Sequence, residues 1–417
     1  MENWFFIRRI ALCLCLSLWA LSALTSCGGG TQSQLASIQA DFPSSAASLA
    51  DPNVVAVTVE AGQGRNVNMP YVSVTVCVPG TNTCKTIDHV LLDTGSAGLR
   101  LFASVLNAAE PLTLPPHQIG DSSSISECAQ FIAALAWGQV HLADVRIGAE
   151  QAANVPIQLM DPDFPDSLSD SCGSNPVIAL DAANSQQYRL SANGILGVGR
   201  FAHDGQNYFN CTTSSTCLIA PSPKQQVQNP VALFPVNNNG VALQLPGISD
   251  EGVTIAKGFL IFGIGTQTNN RLEAATVIPL NPRSGTFTTV YKGKSFANSF
   301  IDSGSNGYFF PDDSISTPAC TENPDFFCPA STQSLTASIQ LSGKTTIPVN
   351  FSIANADTLL SNARYAFNNL GGSMDSVGFV WGLPFFFGRK VFTVMEGGRV
   401  DGWIGPFYAF TDLPNTP

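Results

Sequence analysis

Charged side chains are scarce in this chain, and helical periodicity is weak throughout. Only 12% of the 417 residues are Asp, Glu, Lys or Arg, and 30 acidic residues against 19 basic ones give a net charge of −11. This balance argues against a nucleic-acid partner and against binding of anionic lipids through basic patches, because both need clustered positive charge. Short apolar or alternating runs, separated by Gly, Pro and Asn, predict an all-β fold instead.

Signatures of metals, cofactors and other hydrolytic chemistries are also absent from the sequence. The four His are widely scattered and no paired C-x-x-C set is present, so we expect no metal site. Gly293-Lys294-Ser295 lacks the upstream Gly of a phosphate-binding loop, and no Gly-x-Ser-x-Gly elbow is found. Since no cofactor fingerprint is present either, we expect a protein that works without a cofactor.

The one long apolar run lies at the start of the chain, where residues 1–26 have the anatomy of a signal peptide. Arg8 and Arg9 give a basic start, and the apolar run over residues 10–24 is followed by small residues before Cys27. At about 15 residues this run is too short, and wrongly flanked, for a membrane-spanning helix. Leu24-Thr25-Ser26-Cys27 resembles a bacterial lipobox, which predicts lipidation of Cys27. Ordinary secretion with a chance Cys is the alternative.

The residues after this cleavage site predict how the protein is attached. Residues 27–50 are rich in Gly, Ser, Ala and Gln and predict a flexible tether. Gly28 directly after the Cys, rather than Asp, resembles the outer-membrane sorting pattern of Gram-negative bacteria. We therefore expect an exported outer-membrane lipoprotein, held in the membrane through Cys27 and facing the periplasm or the cell surface.

The remaining cysteines predict disulfides. Setting aside Cys13, Cys15 and Cys27 leaves eight of the 11 Cys (11 − 3), and an even number in an exported chain favours disulfides over catalytic thiols. Eight Cys allow 105 pairings, so spacing alone does not fix the connectivity. Short local loops favour Cys77–Cys84, Cys211–Cys217 and Cys320–Cys328, which leaves Cys128–Cys172 as a longer link.

One short motif occurs twice. Asp93-Thr94-Gly95-Ser96 returns 209 residues later (302 − 93) as Asp302-Ser303-Gly304-Ser305, and each copy directly follows an apolar stretch. A single copy is an ordinary turn sequence, but two copies in matching contexts indicate two similar lobes that build a paired-carboxylate site. Two carboxyl groups about 3 Å apart do not both ionise easily, so they share one proton and can serve as acid and base together.

The surroundings of the motifs repeat as well. Residues 71–78 alternate between Val and other residues and predict a strand, which turns at Pro79-Gly80-Thr81-Asn82 and returns over residues 85–92 to deliver Asp93. An apolar pair followed by Gly comes later in each half, as Ile195-Leu196-Gly197 and as Val380-Trp381-Gly382. The shared order, Asp motif and then apolar-apolar-Gly, supports two lobes of one design.

Over nearly its whole length after Cys27 the chain resembles the pepsin-like aspartic proteases. Leu91-Leu92-Asp93-Thr94-Gly95-Ser96 resembles the first catalytic strand and loop, and Gly194-Ile195-Leu196-Gly197 the strand beneath it. Phe300-Ile301-Asp302-Ser303-Gly304-Ser305 resembles the second catalytic loop. The chain also looks like a group of bacterial lipoproteins catalogued as a domain of unknown function. The resemblance implies a two-lobed double β-barrel, with a cleft between an N-terminal lobe (residues 51–270) and a C-terminal lobe (residues 271–417).

The resemblance also implies a role for each residue of the two motifs. Asp93 and Asp302 would be the catalytic pair, with a water held between them. Thr94 and Ser303 would tie the two loops together across the lobe interface. Ser96 and Ser305 would hydrogen-bond the outer carboxylate oxygens, and Gly95 and Gly304 would leave room for the turn and the water.

Two positions depart from the family pattern. Typical members carry a Tyr on a β-hairpin flap over the cleft, and a Trp shortly after the first motif that bonds this Tyr. Here the flap position falls near Phe131, which has no hydroxyl, and the Trp position holds Arg100. Trp137 lies further along the same hairpin and is a candidate to cover the cleft. Arg100 would lower the pKa of a nearby carboxylate if it points inward; a surface Arg100 and a core Phe131 are the alternatives.

The function that the sequence predicts is a lipid-anchored aspartic endopeptidase. Its substrate would be an extended peptide or protein segment in the cleft between the lobes, and we expect a monomer. The first alternative, favoured by the altered flap, is a pepsin-like lipoprotein of the cell envelope that binds a partner without hydrolysis. The second is a structural surface lipoprotein with no ligand in the cleft.

Overall fold

The computed structural model describes residues 39–40 and 47–414, except for residues 63, 65, 121–122, 163–171, 182–186, 211–217, 316–318, 344 and 375–377. Three of the predictions above fall on other parts of the chain. The signal peptide, the lipidated Cys27 and the Cys211–Cys217 disulfide therefore lie outside the described residues, as does most of the predicted tether.

The predicted hairpin that leads to Asp93 is confirmed. Its first strand runs over Pro70–Cys77, where alternate Val side chains are buried while Ser73 is exposed. Its second strand runs over Cys84–Asp93, and the last four residues of that strand are all buried. The register places Val72 opposite Val90 and Cys77 opposite Cys84. The alternation therefore fixes which face meets the core, and the hairpin ends on the carboxylate.

Strands far outnumber helices in the described structure, which confirms the predicted all-β fold class. In chain order they are β1 (Gln39–Ala40), β2 (Val54–Val59), β3 (Pro70–Cys77), β4 (Cys84–Asp93), β5 (Ala97–Phe102), β6 (Gln118–Ile119), β7 (Ser123–Ser124), β8 (Ser126–Gln130), β9 (Leu135–Ile147), β10 (Glu150–Met160), β11 (Val177–Ala179), β12 (Gln187–Arg189), β13 (Gly194–Val198), β14 (Asn207–Phe209), β15 (Leu218–Ile219), β16 (Gly240–Leu245), β17 (Ile255–Phe262), β18 (Thr276–Pro279), β19 (Phe287–Tyr291), β20 (Lys294–Ile301), β21 (Tyr308–Phe309), β22 (Gln333–Gln340), β23 (Thr346–Ile353), β24 (Gly371–Gly372), β25 (Val380–Trp381), β26 (Arg389–Val394), β27 (Arg399–Val400), β28 (Trp403–Ile404) and β29 (Phe407–Asp412).

Helices are short. The described ones are the α-helices α1 (Ala103–Asn107) and α2 (Ala356–Leu360) and the 3₁₀ helices Pro223–Gln225, Pro230–Leu233, Thr268–Asn270 and Leu383–Phe386. Within the described residues, none is both long enough and apolar enough to cross a bilayer.

An antiparallel layer joins strands from both halves of the chain. Its order is β2, β17, β16, β26, β29 and β18, with each strand hydrogen-bonded to the next. Three strands from before residue 270 and three from after it thus lie side by side in one sheet and meet where β16 pairs with β26, while the lobe boundary near residue 270 stays a prediction. Within the segment predicted to be a tether, β1 pairs in parallel with β17, Gln39 lying opposite Ile255.

A second sheet carries the second Asp motif, in the order β23, β22, β19, β20, β25, β21 and β24. Aromatic side chains fill the space beneath it. The Trp381 side chain is fully buried, with ring centroids 4.7 Å from Phe379 and 5.6 Å from Phe351, and its indole N–H donates to Thr289 Oγ1 at 3.0 Å. Tight aromatic packing beside a satisfied polar group makes this side of the site rigid.

The predicted pairings of three disulfides are confirmed. Cys77 is bonded to Cys84 across the first hairpin, Cys128 to Cys172, and Cys320 to Cys328. The first two disulfides attach to strands that surround the first Asp motif, so they restrict the conformation of the first half of the chain.

The aromatic core predicts a difference between two tryptophans. Trp381→Ala removes a fully buried ring and is expected to lower the free energy of unfolding by about 3–5 kcal/mol. Trp403 is 42% exposed, and Trp403→Ala is expected to stay within about 0.5 kcal/mol of the wild type. Urea unfolding followed by circular dichroism measures both values. Equal losses in the two variants would contradict this account of the core.

Candidate active site

Asp93 stands at the end of a strand that is enclosed on both sides. β13 runs parallel to β4 and antiparallel to β5, so that Gly197 lies opposite both Asp93 and Gly98. A Cβ atom built on Gly197 would lie 2.8 Å from the Ser96 hydroxyl oxygen and from the Ala97 carbonyl carbon. The strand beneath the motif can therefore approach this closely only because Gly occupies that position.

Asp302 has the same surroundings in the second half. β25 runs parallel to β20 with Trp381 opposite Ile301, and the Asp302 amide donates to the Trp381 carbonyl at 3.0 Å. A Cβ atom on Gly382 would lie 2.5 Å from the Ser305 carbonyl oxygen. The two apolar-apolar-Gly patterns thus occupy matching places under the two motifs, which confirms that the two halves share one design around the Asp residues.

Reciprocal hydrogen bonds lock the two motifs together. The Thr94 amide donates to Ser303 Oγ at 3.1 Å, and the Ser303 amide donates to Thr94 Oγ1 at 2.9 Å. The Ser303 hydroxyl in turn donates to the Leu92 carbonyl at 2.7 Å. Both hydroxyl residues are fully buried. The role that the family resemblance implied for Thr94 and Ser303 matches this geometry.

Each carboxylate is held by its own turn. Asp93 Oδ1 accepts from the amides of Gly95 (2.7 Å) and Ser96 (3.1 Å), while Oδ2 accepts from the Ser96 hydroxyl. Asp302 Oδ1 accepts from the Gly304 amide at 2.8 Å, and Oδ2 from the Ser305 hydroxyl at 2.6 Å. These donors are backbone amides and short Ser side chains, so the orientation of both carboxyl groups does not depend on a long, flexible side chain.

The two carboxyl groups face each other across the motifs. A Cβ atom on Gly95 would lie 2.7 Å from Asp302 Oδ1, and one on Gly304 would lie 2.9 Å from Asp93 Oδ1. Each Gly therefore sits against the opposite carboxylate, where a side chain would collide with it. The exposed fractions of Asp93 and Asp302 are 6% and 8%, so the pair is nearly shielded from solvent but still reachable.

Burial and the neighbouring carboxylate favour one shared proton. Burial, followed by the charge of Asp93 and a hydrogen bond with it, raises the pKa of Asp302 to about 8, against the lowering effect of the Ser305 hydroxyl and the Gly304 amide. A carboxyl group with this pKa keeps its proton at neutral pH. The arrangement can therefore donate a proton from one carboxyl group and accept one at the other.

Sequence reasoning missed two residues beneath the first motif. Arg200 Nη1 donates to the Gly95 carbonyl at 3.3 Å and to the Tyr408 hydroxyl oxygen at 3.1 Å. Burial raises the pKa of Tyr408, so its hydroxyl is neutral. The position of Arg200 directly after the Gly-rich strand β13 was an available signal. Tyr408 gave none, since it comes from the last strand of the chain.

The hairpin predicted to be a flap is present, with altered chemistry. β8 and β9 pair from Ser126↔Gln139 to Gln130↔Leu135. Phe131 follows at the tip, half-buried, with the Arg100 guanidinium 5.6 Å from the centre of its ring. Trp137 is buried, with its ring centroid 5.7 Å from that of Phe209, so its indole is committed to packing within the first half.

Arg100 is not a surface cation; that alternative is wrong. Its side chain is 1% exposed and forms ion pairs with Glu127 and Asp204. A guanidinium can stay buried there because two carboxyl groups hydrogen-bond it and compensate its charge. The carboxylates it meets are these two, and they belong to the flap hairpin and to the loop after β13.

One group of side chains in the described residues brings three metal-ligating atoms together. It consists of Cys320, Cys328 and Asp357. The two Cys are bonded to each other, and a disulfide sulfur is not the thiolate that zinc binds. This group therefore has the composition of a braced loop, in which Asp357 accepts hydrogen bonds from Thr321 and Asn323.

Comparison with known proteins places the chain in a family. A family model described as "Protein of unknown function (DUF3443)" matches residues 49–410, which include both Asp motifs. This match confirms the predicted resemblance to a family that is catalogued as a domain of unknown function. None of the curated proteins matches the chain. Among solved structures, the crystal structure of an aspartic proteinase from Irpex lacteus is similar, with a TM-score of 0.47 and 14% identity, over 86% of this chain and 97% of that one.

The raised pKa of Asp302 predicts how stability depends on pH. Above about pH 4 the unfolded carboxyl group is ionised, while the folded one keeps its proton up to about pH 8. The folded state thus binds more protons in this window, and raising the pH from 5 to 8 is expected to lower the free energy of unfolding by on the order of a few kcal/mol.

Two variants test the source of this pH dependence by urea unfolding at pH 5 and pH 8. Asp302→Asn carries no titrating group there and is expected to flatten the dependence. Asp313→Asn changes an exposed carboxylate and is expected to keep the wild-type dependence. If Asp302→Asn loses as much stability as the wild type between the two pH values, the proton on Asp302 is not the cause.

Proposed function

The chain belongs to the DUF3443 family, whose function is unknown, and we propose that it is an aspartic endopeptidase that hydrolyses peptide bonds with a water activated between Asp93 and Asp302. The observation that carries this proposal is the joined pair of motifs. Two buried carboxyl groups face each other and are oriented by Ser hydroxyls and backbone amides. A fold that only needed stability would gain from replacing such a pair by neutral groups, because burying a second acid costs free energy.

The proposed reaction begins with the proton on Asp302 and the charge on Asp93. Asp93 accepts a proton from the water as its oxygen attacks the carbonyl carbon of the scissile amide. Asp302 donates its proton to the carbonyl oxygen, which gives a neutral tetrahedral diol. The Ser96 and Ser305 hydroxyls hold the two carboxyl groups in place during the reaction. Each hydroxyl donates to its own Asp and stabilises that carboxyl group when it is ionised.

Collapse of the diol returns the pair to its starting state. Asp302 takes back a proton from one hydroxyl of the diol, while Asp93 donates its proton to the amide nitrogen as the C–N bond breaks. The products are a carboxylic acid and an amine, and the pair again holds one proton. Because the titrations of the two groups are coupled, the pH dependence of cleavage belongs to the pair rather than to either residue.

The alternative of a partner-binding protein without hydrolysis rests on the flap. Phe131 offers no hydroxyl, and Trp137 is buried against Phe209, so the flap chemistry typical of pepsin-like proteases is missing. The Asp pair favours the peptidase, since binding alone does not require two carboxyl groups that share a proton. Cleavage assays separate the two functions.

Cleavage of a mixed peptide library by the full chain, purified in detergent, tests the peptidase over a pH series from about 3 to 7. Asp93→Asn and Asp302→Asn are each expected to lower kcat/KM by at least about 10²–10⁴-fold, because each removes the acid–base partner of the other. Asp313→Asn, which changes an exposed carboxylate near the second motif, is expected to cleave like the wild type. Pepstatin is expected to inhibit.

The opposite result is equally clear. A folded wild type that cuts nothing at any pH would overturn the peptidase and favour the binding protein. An Asp302→Asn variant with unaltered cleavage would overturn the aspartic mechanism. Sequencing the product ends in the positive case would give the specificity.

We also propose that the protein is exported and anchored through lipid on Cys27, facing the periplasm or the cell surface. The support is the lipobox-like Leu24-Thr25-Ser26-Cys27 at the end of the apolar run. Several acyl chains on one residue hold a protein stably in a bilayer, whereas a single chain binds only marginally.

Cys27→Ala is expected to abolish incorporation of labelled palmitate and to shift the protein out of the membrane fraction. Cys15→Ala, which changes a Cys within the apolar run, is expected to keep both the label and the membrane fraction. Labelling and fractionation in a Gram-negative host measure this. Palmitate label that persists in Cys27→Ala would show that lipid is attached elsewhere.

A further inference from the structure

A buried ion cluster lies beside the first Asp motif. Arg100 Nη2 donates to Glu127 Oε1 at 2.6 Å and to Asp204, and Arg100 Nη1 donates to the Ala97 carbonyl at 2.9 Å. The side chains of Arg100, Glu127 and Asp204 are 1%, 0% and 3% exposed. The Tyr208 hydroxyl completes the cluster by donating to Asp204 Oδ1 at 2.6 Å. Three ionisable side chains are thus almost fully withdrawn from water.

The members of the cluster come from different elements around the catalytic loop. Arg100 belongs to β5, Glu127 to β8 in the flap hairpin, and Tyr208 to β14, which pairs with β8. Asp204 lies in the loop that follows β13, the strand beneath Asp93. The guanidinium is therefore the point where the hairpin, the supporting strand and the catalytic loop meet.

The path from the hairpin to the catalytic carboxylate is short. Glu127 is bonded to Arg100, and Arg100 is bonded to the carbonyl of Ala97. Ala97 directly follows Ser96, whose hydroxyl and amide both donate to Asp93. If the guanidinium moved, its bond to the Ala97 carbonyl would shift the backbone next to Ser96. Ser96 is the residue that orients Asp93.

The charges of the cluster balance when one proton is shared. One guanidinium compensates one carboxylate, so a second ionised carboxylate would leave a buried negative charge. Burial and the charge of Asp204 raise the pKa of Glu127 well above its usual value, despite the opposing effect of Arg100. Glu127 Oε2 is buried and has no hydrogen-bond partner among the described residues.

We propose that Arg100 is a positioning residue that fixes the β8–β9 hairpin to the loop bearing Asp93, with Glu127 and Asp204 as its two anchors. Its effect on catalysis rests on the proposed peptidase function, whereas its effect on the hairpin does not. At this place the family resemblance predicts a Trp bonded to a flap Tyr. A forked cation with two carboxylates makes the same connection with different chemistry, and the Phe131 ring lies against the guanidinium instead of donating a hydrogen bond.

Hydrogen exchange of the full chain in detergent tests the anchor independently of activity. Arg100→Gln is expected to speed exchange of the amides of residues 126–139 by about tenfold to a hundredfold, the loss of one or two charge-assisted hydrogen bonds. Arg100→Lys keeps the charge but not the fork, so it is expected to restore the slow exchange only in part.

Arg389→Gln is the matched control. Arg389 is also largely buried, is paired with Asp412 and lies over the rings of Phe385 and Phe410, but it belongs to β26 in the other half of the chain. It is expected to leave exchange in residues 126–139 at the wild-type rate. If Arg100→Gln speeds exchange uniformly over the chain, or leaves the hairpin as slow as in the wild type, the proposal is overturned.

A second pair of variants decides the matter if Arg100→Gln does not fold. Asp204→Asn removes the anion that balances the guanidinium, and Glu127→Gln replaces a carboxyl group that already carries a proton. Faster hairpin exchange in Asp204→Asn than in Glu127→Gln, confined to residues 126–139, supports the anchor. Wild-type exchange of the hairpin in both variants overturns it.

Kinetics of peptide cleavage then connect the anchor to the reaction. Arg100→Gln is expected to lower kcat/KM by at least about tenfold, the value of one charge-assisted hydrogen bond, with partial rescue in Arg100→Lys and no change in Arg389→Gln. A wild type that cleaves no peptide would remove the peptidase function, and the exchange data would still decide the anchor. Faster hairpin exchange with unchanged kcat/KM would overturn the positioning role.

Discussion

The arrangement of the two Asp motifs and the strands beneath them depends on two carboxyl groups that are held close together and away from water. Like charges repel strongly where the dielectric is low, so Asp93 and Asp302 stay together only if one of them keeps a proton. The lock between the motifs suits this condition because it is neutral. Backbone amides and the hydroxyls of Thr94 and Ser303 bind the loops reciprocally and bring no further charge next to the pair.

That lock needs close packing on both sides, and the sequence supplies small residues where the backbones approach. Gly197 and Gly382 lie under the two motifs, where a Cβ atom would meet backbone or hydroxyl atoms within 3 Å. Stiffness then comes from larger groups behind them, namely the buried ring of Trp381 under Asp302 and the strand β13 under Asp93. Both halves are finally joined by the layer in which β16 pairs with both β17 and β26. The geometry of the pair is thus imposed by the backbone rather than by flexible side chains.

Local and repeated patterns made most of this predictable from the sequence. The hairpin before Asp93, the paired motifs, the Gly that follows each apolar pair and the disulfides Cys77–Cys84 and Cys320–Cys328 all depend on spacing within short segments or on similarity between the halves. Partners far apart in the chain were not predictable in this way. Arg100 is bonded to residues 27 and 104 positions away, and Arg200 to one 208 positions away. An Arg side chain is ordinarily exposed, and only the folded chain brings Glu127 and Asp204 to the same guanidinium.

The structure contains two buried pairs of acidic side chains, Glu127 with Asp204 and Asp93 with Asp302. They differ in whether a cation is bonded directly to the pair, and this difference bears on the proposed reaction. Glu127 and Asp204 are both bonded to Arg100, so the positive charge of the guanidinium compensates the negative charge of that pair. Apart from their contact with each other, Asp93 and Asp302 accept hydrogen bonds from backbone amides and Ser hydroxyls among the described residues. The cation beneath their loop, Arg200, donates to the Gly95 carbonyl instead of to a carboxylate. A guanidinium bonded directly to the pair would favour two ionised carboxylates and leave no acid. Keeping the cation behind a carbonyl leaves the shared proton on Asp302, as the proposed reaction requires.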